Sequence, residues 1–277
     1  MTLIQRHNGE LYNLLDAGIR TRDVIISSPT PENNLVKVEG SNGVIDYGTT
    51  YGPRDITCYY RAQSKDFIDF SLLRDEIFHL FRTEESFYLI EKRERGKRWL
   101  VKVGDPYSIP QRNIFGNFEV NVIGLRGIAE SIDTTQDIQK NGISYNEELW
   151  GYGMGLLYDD ESHKYTHTGT SFRIYNAGNV PIHPFEQRLK ITISNVQGSG
   201  AFLQLRNNTN GSVFRVNEAV TSGKTIVING PVVTINSLQE FRKTNRKYIE
   251  LEPGWNDFTL TGATSAKVEF DFPFYYF

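Results

Sequence analysis

Residues 268–277 read VEFDFPFYYF, and the reading of this stretch decides the fold of the second half of the chain. At a period of two, Val268, Phe270, Phe272, Phe274 and Tyr276 share one face. Glu269, Asp271 and Pro273 share the other. Alternation of this kind belongs to a strand with one buried side. A platform for a stacked sugar needs exposed rings, and here the larger aromatic set lies on the core side. The stretch therefore reads as the closing strand of a packed sheet. Pro273 has no N–H to give a ladder, so the strand is expected to be at an edge or bulged there. Tyr275 and Phe277, on the polar side, are the two rings left for contact with anything outside.

The same period recurs upstream. Leu189, Ile191 and Ile193 alternate with Lys190, Thr192 and Ser194, and Ala201, Leu203 and Leu205 repeat the pattern. TIVING, VVTIN, KYIEL and DFTLTG follow at roughly ten-residue spacing, with turn residues between them. No helical pattern stands out in this half. Short strands so spaced predict a β-sandwich.

The first half reads as strand, helix, strand, strand. Ile56, Cys58, Tyr60 and Ala62 alternate with polar partners after the turn at Tyr51-Gly52-Pro53. Phe70, Leu73, Ile77, Leu80 and Phe81 then recur at three and four residues, the stripe of an amphipathic helix, with Asp69 placed to cap it. SFYLIEK and RWLVKVG flank a turn around Arg95-Gly96, and Phe118, Val120 and Val122 mark another strand. Residues 129–146 are polar and unpatterned. The boundary falls there, giving a domain over residues 1–132 and a sandwich over 133–277.

Composition narrows the function. A net charge of −3 argues against a dedicated nucleic-acid binder. The single cysteine, Cys58, allows no intrachain disulfide, and its place on the apolar face of a strand reads as an inert buried thiol. The first residues lack the basic start and apolar run of a signal peptide, and no stretch approaches a spanning helix, so a soluble protein made in the cytoplasm, without membrane insertion, is expected.

No enzyme class finds its residues. His163 and His167 have the i, i+4 spacing of a zinc pair, but their flanks, SHKYTHTGTSF, favour a strand. On a strand the two lie about 13 Å apart, too wide for one ion. The glycines at 151, 153 and 155 lack the Lys-Ser/Thr of a phosphate loop. The carboxylate pairs Asp159-Asp160 and Glu147-Glu148 fall in polar, loop-like sequence. No catalytic residue, cofactor or metal is expected. Two surfaces remain as candidates for contact. The basic turn KRERGKR, with Arg93, Arg95, Lys97 and Arg98, suits an acidic partner protein, or is a solvated hairpin tip. Trp255, in PGWND, suits a sugar as a stacking platform, or plugs the core. Tyr275 joins it on the first reading.

Taken in order, these pieces resemble one family. DYGTTYGPRDITCYY, the helix DFSLLRDEIFHLF and ESFYLIEKRERGKRWLVKV are similar to the N-terminal domain of siphophage distal tail proteins, from long flexible-tailed phages that mostly infect Gram-positive bacteria. SFRIYNAGNVPIHP, RNNTNG, LEPGWNDF and FDFPFYYF resemble that family's second half, so the likeness runs nearly the whole chain. It implies a mainly β protein: a split-barrel-like N-terminal domain with one α-helix and a β-hairpin, then a galectin-like, carbohydrate-module-like β-sandwich. It also implies a homo-hexameric ring at the virion tail tip, assembled in the host cytoplasm. The implied neighbours are the tail tube protein, the tail-tip or tail-associated lysin protein and a receptor-binding protein. DNA would pass through without being bound. The other class kept open is an adhesion protein that holds cell-wall sugar through the sandwich.

Overall fold

The computed structural model describes residues 1–144 and 149–277. The pair Glu147-Glu148 lies outside the described residues. The chain divides into two compact units, Met1–Ala129 with Phe277, and Glu130–Tyr276.

The first unit contains β1 (Thr2–Gln5), β2 (Leu11–Asn13), β3 (Ile19–Ile26), β4 (Pro31–Val36), β5 (Ile45–Tyr51), β6 (Arg54–Gln63), α1 (Phe70–Leu80), β7 (Phe87–Glu91), β8 (Lys97–Val103), β9 (Gln111–Arg112) and β10 (Phe115–Gly124). The main path of its antiparallel sheet runs through seven strands in the order β2-β1-β7-β8-β10-β6-β3, and β9 also pairs with β10. The sheet curls towards closure. Thr2 Oγ1 on β1 meets Thr21 Oγ1 on β3 at 2.9 Å, and Arg93, beyond β7, donates to the Val24 carbonyl on β3.

The curled sheet wraps a core built from the expected periods. Ile56, Cys58, Tyr60 and Ala62 of β6 point inward, as do Phe118, Val120 and Val122 of β10. Helix α1 buries Phe70, Leu73, Ile77 and Leu80 against them. Phe81 stands 5.4 Å from Tyr60 and 6.2 Å from Phe87, ring to ring. The helix comes so close to β10 that a Cβ on Gly116 would lie 2.7 Å from Phe70. Its start differs from expectation. The Asp69 carboxylate makes no cap bond to the helix and accepts instead from the Lys65 N–H, while Asp66 accepts from the N–H groups of Ile68 and Asp69. The entry turn uses up the acids that a cap would need.

The second unit opens with β11 (Ala129–Ser131) and α2 (Thr135–Asn141). Then come β12 (Thr166–His167), β13 (Ser171–Asn176), β14 (Lys190–Gln197), β15 (Leu203–Asn207), β16 (Val213–Val216), β17 (Ile226–Asn229), β18 (Val232–Ile235), β19 (Leu238–Gln239), β20 (Gly254–Thr261), β21 (Ser265–Asp271) and β22 (Tyr275–Tyr276). Two antiparallel sheets result, β12-β21-β14-β17-β18-β19 and β13-β20-β15-β16. Phe258 of the second sheet meets Phe270 of the first at 5.0 Å, and the sandwich core forms around such pairs.

Helix α2 was not expected. Its signal is one capping box: the Asp137 carboxylate accepts from the Thr134 N–H at 2.9 Å. KYIEL forms no strand, and its one ladder contact is the bridge between Leu251 and Ile182. The closing stretch departs from strict alternation. Strand β21 ends at Asp271, and Phe272 and Phe274 bond to other elements. Phe272 N–H donates to Thr135 Oγ1, Phe274 N–H donates to Ser131 Oγ, and the Phe274 carbonyl accepts from the Ser131 N–H. Pro273 sits between them, where no donor is called for. The break resets the alternation, so both Tyr275 and Tyr276 turn inward.

Candidate assembly surface

One exposed feature of the first unit is a hairpin that its sheet does not take up. Among the described residues β4 and β5 pair only with each other, and every residue in both is exposed. Glycines 40 and 43 take positive φ in the connection between them. The arm carries Leu35, Val36, Val38, Val44, Ile45 and Tyr47 into solvent. A two-stranded ribbon with no buried face is marginal in water by itself, and so many apolar groups on one projection mark an interaction surface. Sequence reading missed the arm because neither face is buried, so no alternation appears. Its available signal was Asn42-Gly43, the dipeptide that most favours a hairpin turn.

A second exposed apolar group lies at the entry to α1. Phe67, Ile68 and Leu72 are all exposed, Ile68 by 83%.

The basic turn is ordered by its own chain. A short 3-10 turn, Lys92–Glu94, joins β7 to β8. Arg93 bonds Glu91, and its other nitrogen reaches Asp23 at 3.2 Å. The Glu91 hydrogen bond raises the Arg93 pKa above its ordinary value. Lys97 meets Glu94 at 2.9 Å. Arg98 lies 4.1 Å over the Tyr88 ring and donates to Gln5. Arg95 closes the turn in a right-handed helical conformation.

In the second unit, Trp255 and Asp257 alternate with the buried Asn256 and Phe258 on β20. Trp255 therefore lies on the outer face of the four-stranded sheet and does not plug the core. Its ring packs 5.0 Å from Tyr175, its partner across the ladder, and the Arg173 guanidinium lies 4.3 Å over it. Tyr275 corrects the expectation made for it. It is 0% exposed, and its hydroxyl accepts from the Arg188 N–H at 2.8 Å, because the break at Pro273 turned it inward. No sugar can stack on that ring. Phe277 is 43% exposed.

The histidine pair is also separated. His167 lies in β12 and stacks on Phe172 at 4.7 Å, while His163 precedes the strand. Asp159 is a turn cap, accepting from the Ser162 N–H at 2.7 Å. Among the described residues, no group of three or more His, Cys, Asp and Glu could hold a metal ion.

Comparison with known proteins agrees with this architecture. Residues 7–123 match the family described as the phage tail protein RIFT-related domain. Among curated proteins no relative matches. Among solved structures the chain is similar to the Dit protein of phage SPP1, described as a paradigm of the hub adsorption apparatus in phages infecting Gram-positive bacteria. The TM-score is 0.68 at 10% identity, over 99% of this chain and 99% of that one. A chain of the phage p2 baseplate, in its activated conformation with Sr, matches at TM-score 0.46 and 12% identity, over 98% of this chain and 97% of that one. The first unit thus matches a phage tail family, and the fold along the whole chain is similar to that of the SPP1 Dit protein.

Proposed function

We propose that this chain, with a phage tail protein RIFT-related domain over residues 7–123, is a structural hub at the distal end of a phage tail tube. Six copies close a ring through the first domain. One side of the ring stacks on tail tube protein, the other on the tail-tip or tail-associated lysin protein. The galectin-like sandwich faces outward and anchors a receptor-binding protein. The chain is made and assembled in the bacterial host cytoplasm and ends in the virion tail tip. DNA passes through without being gripped, in keeping with a net charge of −3 on each copy. The role is architectural and needs no catalytic residue.

The carrying observation is the arm formed by β4 and β5, exposed along its length and lined with apolar side chains. A neighbouring copy that covers it removes both its instability and its apolar surface from water. Solution mass tests the reading. The wild-type chain is expected to form a ring-sized oligomer, and Leu35→Ser with Ile45→Ser and Tyr47→Ser is expected to leave folded monomers. A wild-type chain that stays monomeric alone and with tube protein defeats it. A contact of the basic turn with an acidic partner depends on Arg93, Arg95 and Lys97. If all three become Ala with partner binding unchanged, the turn is only a self-paired tip.

A second reading is favoured by Trp255 and Tyr175 on the outer face of the sandwich. They would hold cell-wall sugar by stacking, in a hub that also touches the host. Glycan-array binding that disappears in Trp255→Ala supports it, and an array without any binding removes it.

A further inference from the structure

On the outer side of the β6–β3 ladder, Arg20 stands directly opposite Arg61. Like charges facing each other across a ladder are destabilising unless something of opposite charge lies over them. Both line one concavity of about 570 Å³, together with Lys65, Leu15, Ser64 and Phe115. Among the described residues no acidic side chain lines it. Among the described residues, no carboxylate comes within 4.0 Å of the charged groups of Arg20, Arg61 or Lys65. Arg61 is also held in place, its guanidinium 4.1 Å over the Phe115 ring. A stacked guanidinium keeps its in-plane N–H fork free for a carboxylate. The site is therefore tricationic and concave, with one guanidinium held in place, and among the described residues no carboxylate pairs with it.

The missing charge has a counterpart in the same unit. Glu84 and Glu85, between α1 and β7, are exposed neighbours, and among the described residues neither has a cation within 4.0 Å. They line a second concavity with Asp75, Phe78 and Tyr107, where the two basic side chains, Arg82 and His79, lie within hydrogen-bond distance of each other at 2.8 Å. Residues 1–129 contain 17 basic and 17 acidic side chains, so the unit is neutral overall while two patches of opposite sign go unpaired. An extended polyanion would be tracked by a stripe of cations along a groove, whereas this site is bounded.

We propose that the Arg20–Arg61–Lys65 concavity receives the Glu84–Glu85 loop of a second copy of this chain. The contact joins two different patches, so it is heterologous, the kind that propagates head to tail and closes into a ring when the rotation permits. It rests on the assembly reading given above and supplies that reading with register: the charges select the docking pose, while the arm contributes apolar area.

A charge exchange in the full chain tests it. Arg20→Glu with Arg61→Glu, and separately Glu84→Arg with Glu85→Arg, are each expected to weaken self-association at least tenfold in sedimentation velocity, with circular dichroism unchanged. Combining all four substitutions in one chain is expected to restore assembly, because the polarity is reversed on both patches. Association should also weaken as salt rises. The inference is overturned if either pair assembles like wild type, or if the fourfold variant stays dissociated. It is also overturned if a short DNA duplex or inorganic phosphate binds the wild type and loses binding in Arg20→Glu/Arg61→Glu while self-association is untouched. In that case the concavity serves an anion from another source. If the charge variants assemble normally but the Leu35/Ile45/Tyr47 arm variant does not, the hub reading survives and this contact alone falls.

Discussion

The side-chain amide of Asn207 donates to Oδ1 of Asn256 at 2.9 Å, with both residues 0% exposed. This bond locks together the two sequences RNNTNG and LEPGWNDF. Asn207 also donates to the Glu250 carbonyl and accepts from the Thr209 N–H. Asn256 accepts from the Glu252 N–H and donates to the carbonyls of Glu252 and Gly254. All four hydrogen-bonding positions of the Asn256 side chain are thereby filled. Asn207→Ala removes the bond to the buried Asn256 Oδ1 together with those to Glu250 and Thr209, and is expected to cost about 1–3 kcal/mol. Asn256→Asp keeps the shape but sets a buried carboxylate against two carbonyl oxygens, and is expected to cost more. Denaturant unfolding of the two variants checks the order. A milder effect for Asn256→Asp than for Asn207→Ala would refute the network as the source of rigidity.

Gly178, in YNAG, tolerates no side chain. A Cβ there would lie 2.5 Å from the Tyr275 carbonyl oxygen and 2.8 Å from its nitrogen, both backbone atoms that cannot rotate away. The Gly178 N–H is itself held by Asn176 Oδ1 at 3.1 Å. Gly178→Ala is expected to destabilise the sandwich by about 1–3 kcal/mol through overpacking. Thermal unfolding should show a lower Tm for it than for Gly223→Ala, where the added Cβ meets nothing within 4 Å. Equal Tm values for the two would sink the argument.

These motifs also show what was legible in the sequence. Where one face is buried, periodicity located the element and its inner residues: β6, α1, β10, β14 and the start of β21 all follow their patterns. Where burial does not alternate, pattern reading fails for a physical reason. The arm has no buried face and left no period. Helix α2 is too short to show a stripe and is announced only by the Thr134 and Asp137 box. Tyr275 was misassigned because Pro273 interrupts the strand, and the register beyond it depends on bonds to Ser131 and Thr135, more than 130 residues away. The candidate surface was hardest to read, since an interface is defined by what its own copy leaves unpaired. Arg20 and Arg61 are 41 positions apart, and only the ladder register brings them face to face.

Cys58 should behave as a clock for opening of the first unit. It is fully buried, and burial pushes its thiol up to about 12. Only the thiolate reacts, so the native chain is expected to resist a thiol-labelling reagent at pH 8. Denaturant should bring full labelling at the rate of an ordinary cysteine. Labelling followed by mass spectrometry decides. Immediate modification of the native protein would contradict the packing around β6.

His167 predicts an acid-sensitive sandwich. Its ring stacks on Phe172 with an angle of 10° between planes, and its Nε2 lies 3.1 Å from the Lys164 carbonyl. Burial lowers its pKa below the ordinary 6.5, the hydrogen bond to the Lys164 backbone opposes this, and the Lys164 charge lowers it further. Glu161, also nearby, acts in the raising direction. A base with a lowered folded pKa binds its proton more readily when unfolded. As pH falls through about 6.5 the unfolded state therefore takes up a proton that the folded state refuses, and stability drops until the folded pKa is reached. Above 6.5 both states are neutral at this position and no dependence remains. His167→Gln keeps a polar planar group and removes the titration. Unfolding free energies of wild type and His167→Gln, compared from pH 8 to pH 5, should run parallel above 6.5 and converge or cross below it as only the wild type loses this contribution. A difference that stays constant over the whole range would show that His167 is titrating as freely in the folded sandwich as in the unfolded chain.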